Sequence, residues 1–280
     1  MPPESAIRKW RYFYMEGREM LIVASVLCKG DFAEIMKMIR NRVVPSEEES
    51  QKALASVKSK VTTIIDDDYP ECLKHVDKPP IVLYYYGDLS LIQDRSRIAG
   101  YVGSREASPY GLEMARYFAD AMVERGLVVI SGMARGIDSA VQEEVLNRRG
   151  KTIAVLGCGI DVPYPYSSKD LYRRIKTDGL IISEYPNDIP PTPNNFPFRN
   201  RLIAAACSLL VVGEASMHSG TLLTVGWALS YGTEVGAVPT KAATGAGTNA
   251  LSRDGAHLID EAKDLDAFFS IKPLESEENL

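Results

Sequence analysis

The sequence of 280 residues predicts a doubly wound α/β fold with a mostly parallel sheet, preceded by a small all-helical N-terminal module. From Val61 onward, apolar segments of strand length alternate with segments of helical periodicity. The apolar segments are continuous, which is typical of parallel strands covered on both faces. Residues 1–60 lack such segments and carry apolar residues at helical spacing. We therefore assign residues 1–60 to the helical module, residues 61–271 to the α/β domain and residues 272–280 to an acidic tail.

The helical module is predicted to contain three or four helices. Apolar residues recur at helical spacing between Trp10 and Ile39. Lys29-Gly30-Asp31 interrupts this pattern as the end of one helix and the N-cap of the next would. Ser46 and Glu49 have the spacing of a capping box, which predicts a further helix.

The α/β domain is predicted to contain six strands and five helices between them. The strands are expected at residues 98–102, 127–130, 152–156, 180–183, 209–212 and 234–238. The helices are expected near residues 109–125, 138–149, 169–177, 197–207 and 219–231.

Composition and charge exclude several classes of protein. Hydrophobic residues make up 45% of the chain and charged residues 25%, the usual balance of a folded globular protein. The longest apolar run, residues 202–213, is shorter than the roughly 20 residues needed to span a bilayer, and the first residues do not resemble a signal peptide. We expect a cytoplasmic protein without a membrane association. Four cysteines without CxxC spacing and three isolated histidines predict neither a metal site nor a bound cofactor.

The net charge of −5 lies at the C-terminal end of the chain. Residues 260–280 hold seven acidic and two basic side chains, so residues 1–259 are neutral overall. Screening confines charge effects to about 10 Å, so a local basic groove is compatible with this balance.

Glycine-containing loops follow the predicted strands. In a doubly wound sheet, ligands bind beyond the carboxyl ends of the strands, near helix N-termini. The first core strand is followed by Gly103-Ser104-Arg105 and the second by residues 131–138, which include Gly132, Arg135 and Gly136. Asp138 is interpreted as the N-cap of the next helix.

The loop after the third strand does not complete a known nucleotide motif. Gly157-Cys158-Gly159 begins like a dinucleotide-binding GxGxxG, but Val162 replaces the third glycine. A GxxxxGK[ST] sequence is absent from the chain.

The loop after the fourth strand leads to Phe196-Pro197-Phe198-Arg199-Asn200-Arg201. Pro197 in a first helical turn would place free N–H groups and arginines at a helix N-terminus, which is suited to phosphate. Arg199 and Arg201 diverge around the helix, so one of them is expected to face the ligand and the other to pair with Glu184 or Glu214. Phe196 either stacks on a base or acts as an apolar staple of the loop.

The fifth strand is followed by Ser219-Gly220-Thr221 at a helix start. Together, the glycine loops predict a groove lined by backbone N–H groups and guanidinium groups, which suits several consecutive phosphates. Catalytic machinery is not apparent, because Ser104 and Ser131 have no histidine nearby in sequence. Glu184 and Glu214 could act as an acid/base pair, although ion pairs with the arginines are the favoured interpretation.

These residues resemble the DprA/Smf family of bacterial DNA-processing proteins. The resemblance covers residues 63–259. It is carried by Asp68-Tyr69-Pro70, Gly103-Ser104-Arg105, residues 131–138 and 152–161, Tyr164-Pro165, Ser183-Glu184, residues 196–201, Glu214-Ala215, Ser219-Gly220-Thr221 and Gly255-Ala256.

The resemblance implies an extended Rossmann fold that binds single-stranded DNA without catalysis, forms a homodimer and loads RecA recombinase during natural transformation. It also implies a sterile-alpha-motif-like or helix-hairpin-helix-like N-terminal module and a short architecture without a winged helix. The residues implied to contact DNA are Gly103, Ser104, Arg105, Gly132, Arg135, Gly136, Lys169, Phe196, Arg199, Asn200, Arg201, Ser219 and Gly220.

The chain departs from the family pattern at three positions, and one alternative function stays open. Gln142 stands where a histidine is frequent, His218 where an arginine is frequent, and Thr240 where a glycine is frequent. Losing the arginine would weaken phosphate binding locally. The alternative is a phosphoribohydrolase-like enzyme or sensor of a nucleotide-like ligand, but the glutamate of its GTxxE motif is replaced by Thr224.

Overall fold

A computed structural model describes residues 17–217, 219–241 and 247–269. Within these ranges, nine strands form one sheet. The strands are β1 (Lys60–Thr63), β2 (Val82–Gly87), β3 (Ile98–Gly103), β4 (Val128–Ser131), β5 (Lys151–Leu156), β6 (Leu180–Ser183), β7 (Leu209–Glu214), β8 (Glu234–Ala237) and β9 (His257–Leu258).

Ten α-helices flank the sheet in the described residues. They are α1 (Gly17–Leu27), α2 (Phe32–Arg40), α3 (Glu47–Ser56), α4 (Glu71–Lys74), α5 (Pro109–Glu124), α6 (Ile137–Asn147), α7 (Lys169–Asp178), α8 (Asn195–Ala206), α9 (Gly220–Ser230) and α10 (Gly247–Arg253). Within the same ranges, no helix is both long and apolar enough to cross a bilayer.

The strand order confirms the predicted doubly wound fold. The order is β1-β2-β6-β5-β4-β3-β7-β8-β9, and all neighbours from β6 to β9 are parallel. From β3 the chain winds to one side through β4, β5 and β6, then crosses back to place β7 on the other side of β3. The topological switch point therefore lies between β3 and β7, where ligands bind in such sheets.

The sheet is buried on both faces, which explains the continuous apolar strands. In β5, Ile153 and Val155 join one apolar cluster, whereas Ala154 and Leu156 join another. Successive side chains of a strand point to opposite faces, so a strand covered on both faces needs apolar residues at every position. Three strands were not predicted. They are β1 and β2, which pair antiparallel at one edge of the sheet, and the short strand β9, which pairs parallel with β8 at the other edge.

The described part of the N-terminal module packs against the sheet. Ile22 of α1 and Ile35 of α2 lie in the same apolar cluster as Tyr84 and Leu156 of the sheet. The predicted N-cap of α2 is confirmed, because the Asp31 side chain accepts a hydrogen bond from the Glu34 N–H at 3.0 Å.

The predicted capping box is confirmed at α3. The Ser46 hydroxyl accepts from the Glu49 N–H, and the Glu49 carboxylate accepts from the Ser46 N–H at 2.9 Å. The proposed boundary between residues 60 and 61 falls inside β1. The division into a module, a domain and a tail stays a prediction. Trp10 and the acidic residues 272–280 lie outside the described residues.

Candidate nucleic-acid interface

A groove of about 670 Å³ lies at the switch point of the sheet. Its walls come from the loop after β3, the start of α8 and the start of α9. Eight of the residues predicted to contact DNA line it, namely Gly103, Ser104, Arg105, Phe196, Arg199, Asn200, Ser219 and Gly220. Three loops that are distant in sequence therefore converge as the strand-end pattern predicts.

Arg105 places an unpaired positive charge at the groove. Its side chain is exposed, and it forms no salt bridge with a described residue. Its guanidinium carbon lies 5.5 Å from the centre of the Phe196 ring, within the range of a cation–π contact. The charge is held over the groove without being neutralised by an internal carboxylate.

Phe196 packs into the wall of the groove and also contributes to its surface. Its ring stacks on Tyr164, with centroids 5.4 Å apart and an interplanar angle of 30°. A Cβ on Gly157 would lie 2.8 Å from the ring, so the glycine allows this close packing. The apolar-staple interpretation agrees with these contacts, and stacking on a base stays a prediction.

Arg199 forms the floor of the groove as a buried cation. Its side chain donates hydrogen bonds to the carbonyls of Gly132, at 3.0 Å, and Val155, and to the Asn200 side-chain oxygen at 3.1 Å. Burial lowers the pKa of Arg199 to about 10, while Asp138 acts in the opposite direction, so the group stays protonated at neutral pH. The backbone and side-chain acceptors fix its position.

Asp138 links two strand-end loops, which corrects its predicted role as a helix N-cap. It is the second residue of α6, and the helix is preceded by Gly136 instead. Its carboxylate accepts from the N–H of Gly103 at 3.3 Å and from the N–H of Gly132 at 3.1 Å. Burial raises the pKa of Asp138, and Arg199 counteracts that shift.

Gly136 has a structural role in the same region. Its φ of 80° is unfavourable for residues with a side chain, and a Cβ there would collide with the carbonyl oxygen of Ser104. It lines neither the groove nor a smaller cavity beside the groove that Arg135 lines. The glycine allows the loop before α6 to pass directly beneath the loop after β3.

Arg201 does not face the groove, which corrects the prediction that it contacts DNA. Its side chain is fully buried and forms an ion pair with Glu184, with an Nη2–Oε2 distance of 2.6 Å. The expectation that one arginine of this segment pairs with Glu184 is therefore confirmed. Side chains two residues apart on a helix point in different directions, and this separates Arg201 from Arg199.

Glu214 pairs with a serine, not with an arginine. Its carboxylate accepts from the Ser108 hydroxyl at 2.6 Å and from the Ser108 N–H at 3.2 Å. Ser108 is the N-cap residue of α5. The prediction of an ion pair for Glu214 was wrong because a helix start supplies its donors instead.

A second, smaller cavity of about 50 Å³ adjoins the groove. It contains Gly132 and Arg135, which do not line the larger groove, and shares Arg105, Tyr164 and Phe196 with it. Lys169 lines neither cavity, and its exposed side chain lies at the first position of α7. Eight of the predicted DNA contacts thus line the groove, whereas Gly132, Arg135 and Lys169 do not.

Two helix N-termini point at the groove. Ser219 precedes α9 and Asn194 precedes α8, and neither side chain caps its helix. The Ser219 hydroxyl is buried without a hydrogen-bond partner in the described part of the chain. Free N–H groups at the start of α9 and the positive ends of two helix dipoles favour an anion here. The start of α8 offers fewer donors than predicted, because the Asn195 N–H donates to the Thr192 carbonyl and Pro197 has no N–H. His218 lies outside the described residues.

Tyr164 and Thr224 are among the groove residues that were not predicted to contact DNA. Tyr164 lines both cavities, and Thr224 lies in the groove wall with its side chain almost fully buried. The signal for Tyr164 was its place in the turn Pro163-Tyr164-Pro165 after a strand. Thr224 lies one helical turn inside α9, where periodicity does not distinguish a groove wall from the core.

The chain is similar in sequence to known proteins. Residues 60–270 match the family model of DNA recombination-mediator protein A. DNA processing protein DprA of Streptococcus pneumoniae is 38% identical over 209 residues, which is 74% of this chain and 73% of that protein. Protein Smf of Synechocystis is 39% identical over 176 residues, which is 62% of this chain but only 44% of the relative.

Solved structures show the same fold. The crystal structure of DprA from Streptococcus pneumoniae has a TM-score of 0.76 at 35% identity, covering 86% of this chain and 83% of that one. DNA processing protein A from Helicobacter pylori, studied for its single-stranded DNA binding mode, has a TM-score of 0.67 at 28% identity. That match covers 74% of this chain and 94% of the other.

Proposed function

The chain belongs to the family of DNA recombination-mediator protein A, the DprA/Smf family, and from this premise we propose that it binds single-stranded DNA in the groove. The observation that carries the proposal is the convergence of Arg105, Arg199 and two helix N-termini at one switch point. Guanidinium and N–H groups bind phosphate oxygens, which carry no sequence information. Binding independent of sequence is the expected result.

Aromatic groups in the groove support a preference for single strands. Phe196 and Tyr164 present ring surface beside the cationic side chain of Arg105. Unpaired bases stack on such rings, whereas the bases of a duplex are already stacked and paired. We therefore propose that duplex DNA binds more weakly than a single strand of the same length.

The wider role follows from the family and forms part of the same proposal. We propose DNA processing in natural transformation, loading of RecA recombinase, a homodimer and a cytoplasmic location. Light scattering would test the homodimer, and RecA assembly on strands coated with a single-strand binding protein would test the loading. A monomer in solution, or RecA assembly that the protein leaves unchanged, would contradict these parts.

We further propose that the protein is not an enzyme. The two carboxylates considered as an acid/base pair are both engaged, Glu184 by Arg201 and Glu214 by Ser108. The phosphoribohydrolase alternative needs a glutamate at the position of Thr224, whose side chain is buried in the groove wall. Release of a free base from nucleoside monophosphates would contradict this part of the proposal.

Fluorescence anisotropy with labelled oligonucleotides tests the DNA-binding proposal. We expect single strands of unrelated sequence to bind with similar affinity, and more tightly than the duplex. The affinity should fall steeply between about 50 mM and about 200 mM salt, because phosphate contacts release counterions. Sequence-dependent binding, a preference for duplex DNA, or an affinity that salt does not change would contradict the proposal.

A further inference from the structure

Tyr166 presents an aromatic ring to solvent just beyond the groove. Its side chain is 74% exposed, the highest fraction among the exposed large hydrophobic side chains of the described residues. It lies in a 3₁₀ turn, Tyr166–Ser168, immediately before α7. Its ring contacts Tyr164 edge to face, with centroids 6.4 Å apart and an interplanar angle of 73°. The ring is thus supported from one side and open on the other.

The support for Tyr166 is continuous with the groove. Tyr164 stacks on Phe196 at 5.4 Å, and the Arg105 guanidinium lies 5.5 Å from the Phe196 ring centre. These four side chains form a connected series, which we call the aromatic row, from the groove to the surface. Aromatic pairs in edge-to-face and offset-stacked arrangements stabilise one another, so the row is arranged before any ligand binds.

Two cations lie in the chain segments next to Tyr164 and Tyr166. Arg135 lines the small cavity together with Tyr164, and Lys169 follows Tyr166 by three residues. The two segments touch, because the Ser139 and Ser168 hydroxyls lie 3.3 Å apart. Both basic side chains are exposed, and neither forms a salt bridge with a described residue. Apart from Arg201, which is buried in its ion pair with Glu184, they are the predicted DNA contacts with charged side chains that do not line the groove.

We propose that Tyr166, Arg135 and Lys169 form an outer subsite for one nucleotide of a single strand that leaves the groove along the aromatic row. The base stacks on the open face of Tyr166, and the two cations bind the adjoining phosphates. This inference rests on the proposed function. Every base has an aromatic face, so the subsite is tolerant of sequence.

The test compares oligonucleotide lengths and variants by fluorescence anisotropy. A length series defines the shortest strand that occupies the groove and a longer strand that also reaches the outer subsite. Tyr166→Ala should weaken binding of the longer strand by about fivefold or more, and leave the short strand unchanged. Tyr166→Phe keeps the ring and should bind both strands as the unsubstituted protein does. The exposure of Tyr166 makes a folding defect unexpected, and a thermal melt of each variant checks this.

An abasic scan identifies the ligand group. A single abasic position is moved along the longer strand, and one position should lower affinity for the unsubstituted protein about as much as Tyr166→Ala does. With Tyr166→Ala, that same position should cause no further loss. The outer subsite would be overturned if Tyr166→Ala lowered the affinity for short and long strands equally, or left the affinity for the longer strand unchanged. It would also be overturned if every abasic position lowered the affinity of Tyr166→Ala as much as that of the unsubstituted protein.

Arg105→Ala separates the two proposals. If it weakens the short strand while Tyr166→Ala leaves the longer strand unchanged, the groove binds DNA and the outer subsite is refuted alone. The proposed groove function fails if the unsubstituted protein binds neither strand. It also fails if Arg105→Ala binds the short and the longer strand with unchanged affinity.

Discussion

Arg201 of α8 and Glu184, which follows β6, form a bidentate buried ion pair, with an Nη1–Oε1 distance of 2.9 Å and an Nη2–Oε2 distance of 2.6 Å. The remaining donors of Arg201 bind the carbonyls of Asp77, Lys78 and Phe198. One buried guanidinium thus holds together the segment before β2, the end of β6 and the first turns of α8. Those first turns carry the groove residues, so the pair positions the groove without lining it.

Arg201→Ala is expected to lower the free energy of unfolding by about 3–5 kcal/mol, because it leaves Glu184 buried without its partner. Urea denaturation monitored by circular dichroism measures the change. Arg173→Ala is the matched control, since Arg173 pairs with Asp170 on the surface and its loss should cost no more than about 1 kcal/mol. A loss for Arg201→Ala as small as that of the control would contradict the positioning role.

Arg105→Ala is expected to weaken single-strand binding by a similar factor for all sequences. Removing one phosphate contact should also reduce the slope of log affinity against log salt by about 0.7. Anisotropy titrations at several salt concentrations measure both effects. Arg148→Ala removes the same charge immediately after α6, where Arg148 pairs with Asp120 and Glu144, and it should leave the slope unchanged. A sequence-dependent loss, or an equal loss in both variants, would argue against a phosphate contact at Arg105.

Gly132→Ala is expected to displace Arg199 from the groove floor. A Cβ at this position would lie 2.5 Å from Arg199 Nη2 and 2.8 Å from the nearer Asp138 oxygen. Both stability and DNA affinity should fall, by about 1–3 kcal/mol for stability. Gly226→Ala in α9 meets no atom within 4 Å and should instead stabilise the helix by about 0.4–1 kcal/mol. Thermal melts and anisotropy of both variants distinguish these outcomes, and an unaffected Gly132→Ala protein would contradict the packing described.

Asp66→Asn is expected to destabilise the protein at neutral pH but not in acid. Burial alone would raise the pKa of Asp66, but the Thr63 N–H at 3.0 Å and the Arg18 guanidinium at 2.7 Å hold it below its usual value. A lowered carboxyl pKa contributes stability above the pKa of the unfolded chain, about 3.9, and that stability is lost as the pH falls through the folded pKa.

The effect of Asp66→Asn should be below about 1 kcal/mol at pH 7, because the ion pair is partly exposed. Denaturation curves of both proteins should therefore differ at pH 7 and converge as the pH falls below about 4. A difference that grows in acid would contradict the interaction with Arg18.

The sheet and the position of the groove could be predicted from the sequence because both depend on local patterns. Continuous apolar segments mark strands buried on two faces, and a parallel sheet brings its carboxyl ends to one edge. The antiparallel strand β2 was missed although Val82, Leu83 and Tyr84 are buried, because it does not alternate with a helix as the later strands do.

The assignment of individual side chains needed tertiary contacts. Arg199 and Arg201 occupy one short segment, and only the positions of Gly132 and Glu184 decide that the first lines the groove and the second is internal. Asp138 is of a residue type that is common at N-caps, but its carboxylate accepts hydrogen bonds from the N–H groups of Gly103 and Gly132. Such partners are distant in sequence, so local spacing does not reveal them.

Hydrogen–deuterium exchange with and without a bound single strand tests most directly whether the groove at the switch point is the DNA-binding site. We predict slower exchange of backbone N–H groups in peptides covering residues 103–106, 195–200 and 219–221, with residues 47–56 of the N-terminal module unchanged. Protection confined to other parts of the chain, with these three segments exchanging as in the free protein, would contradict the account.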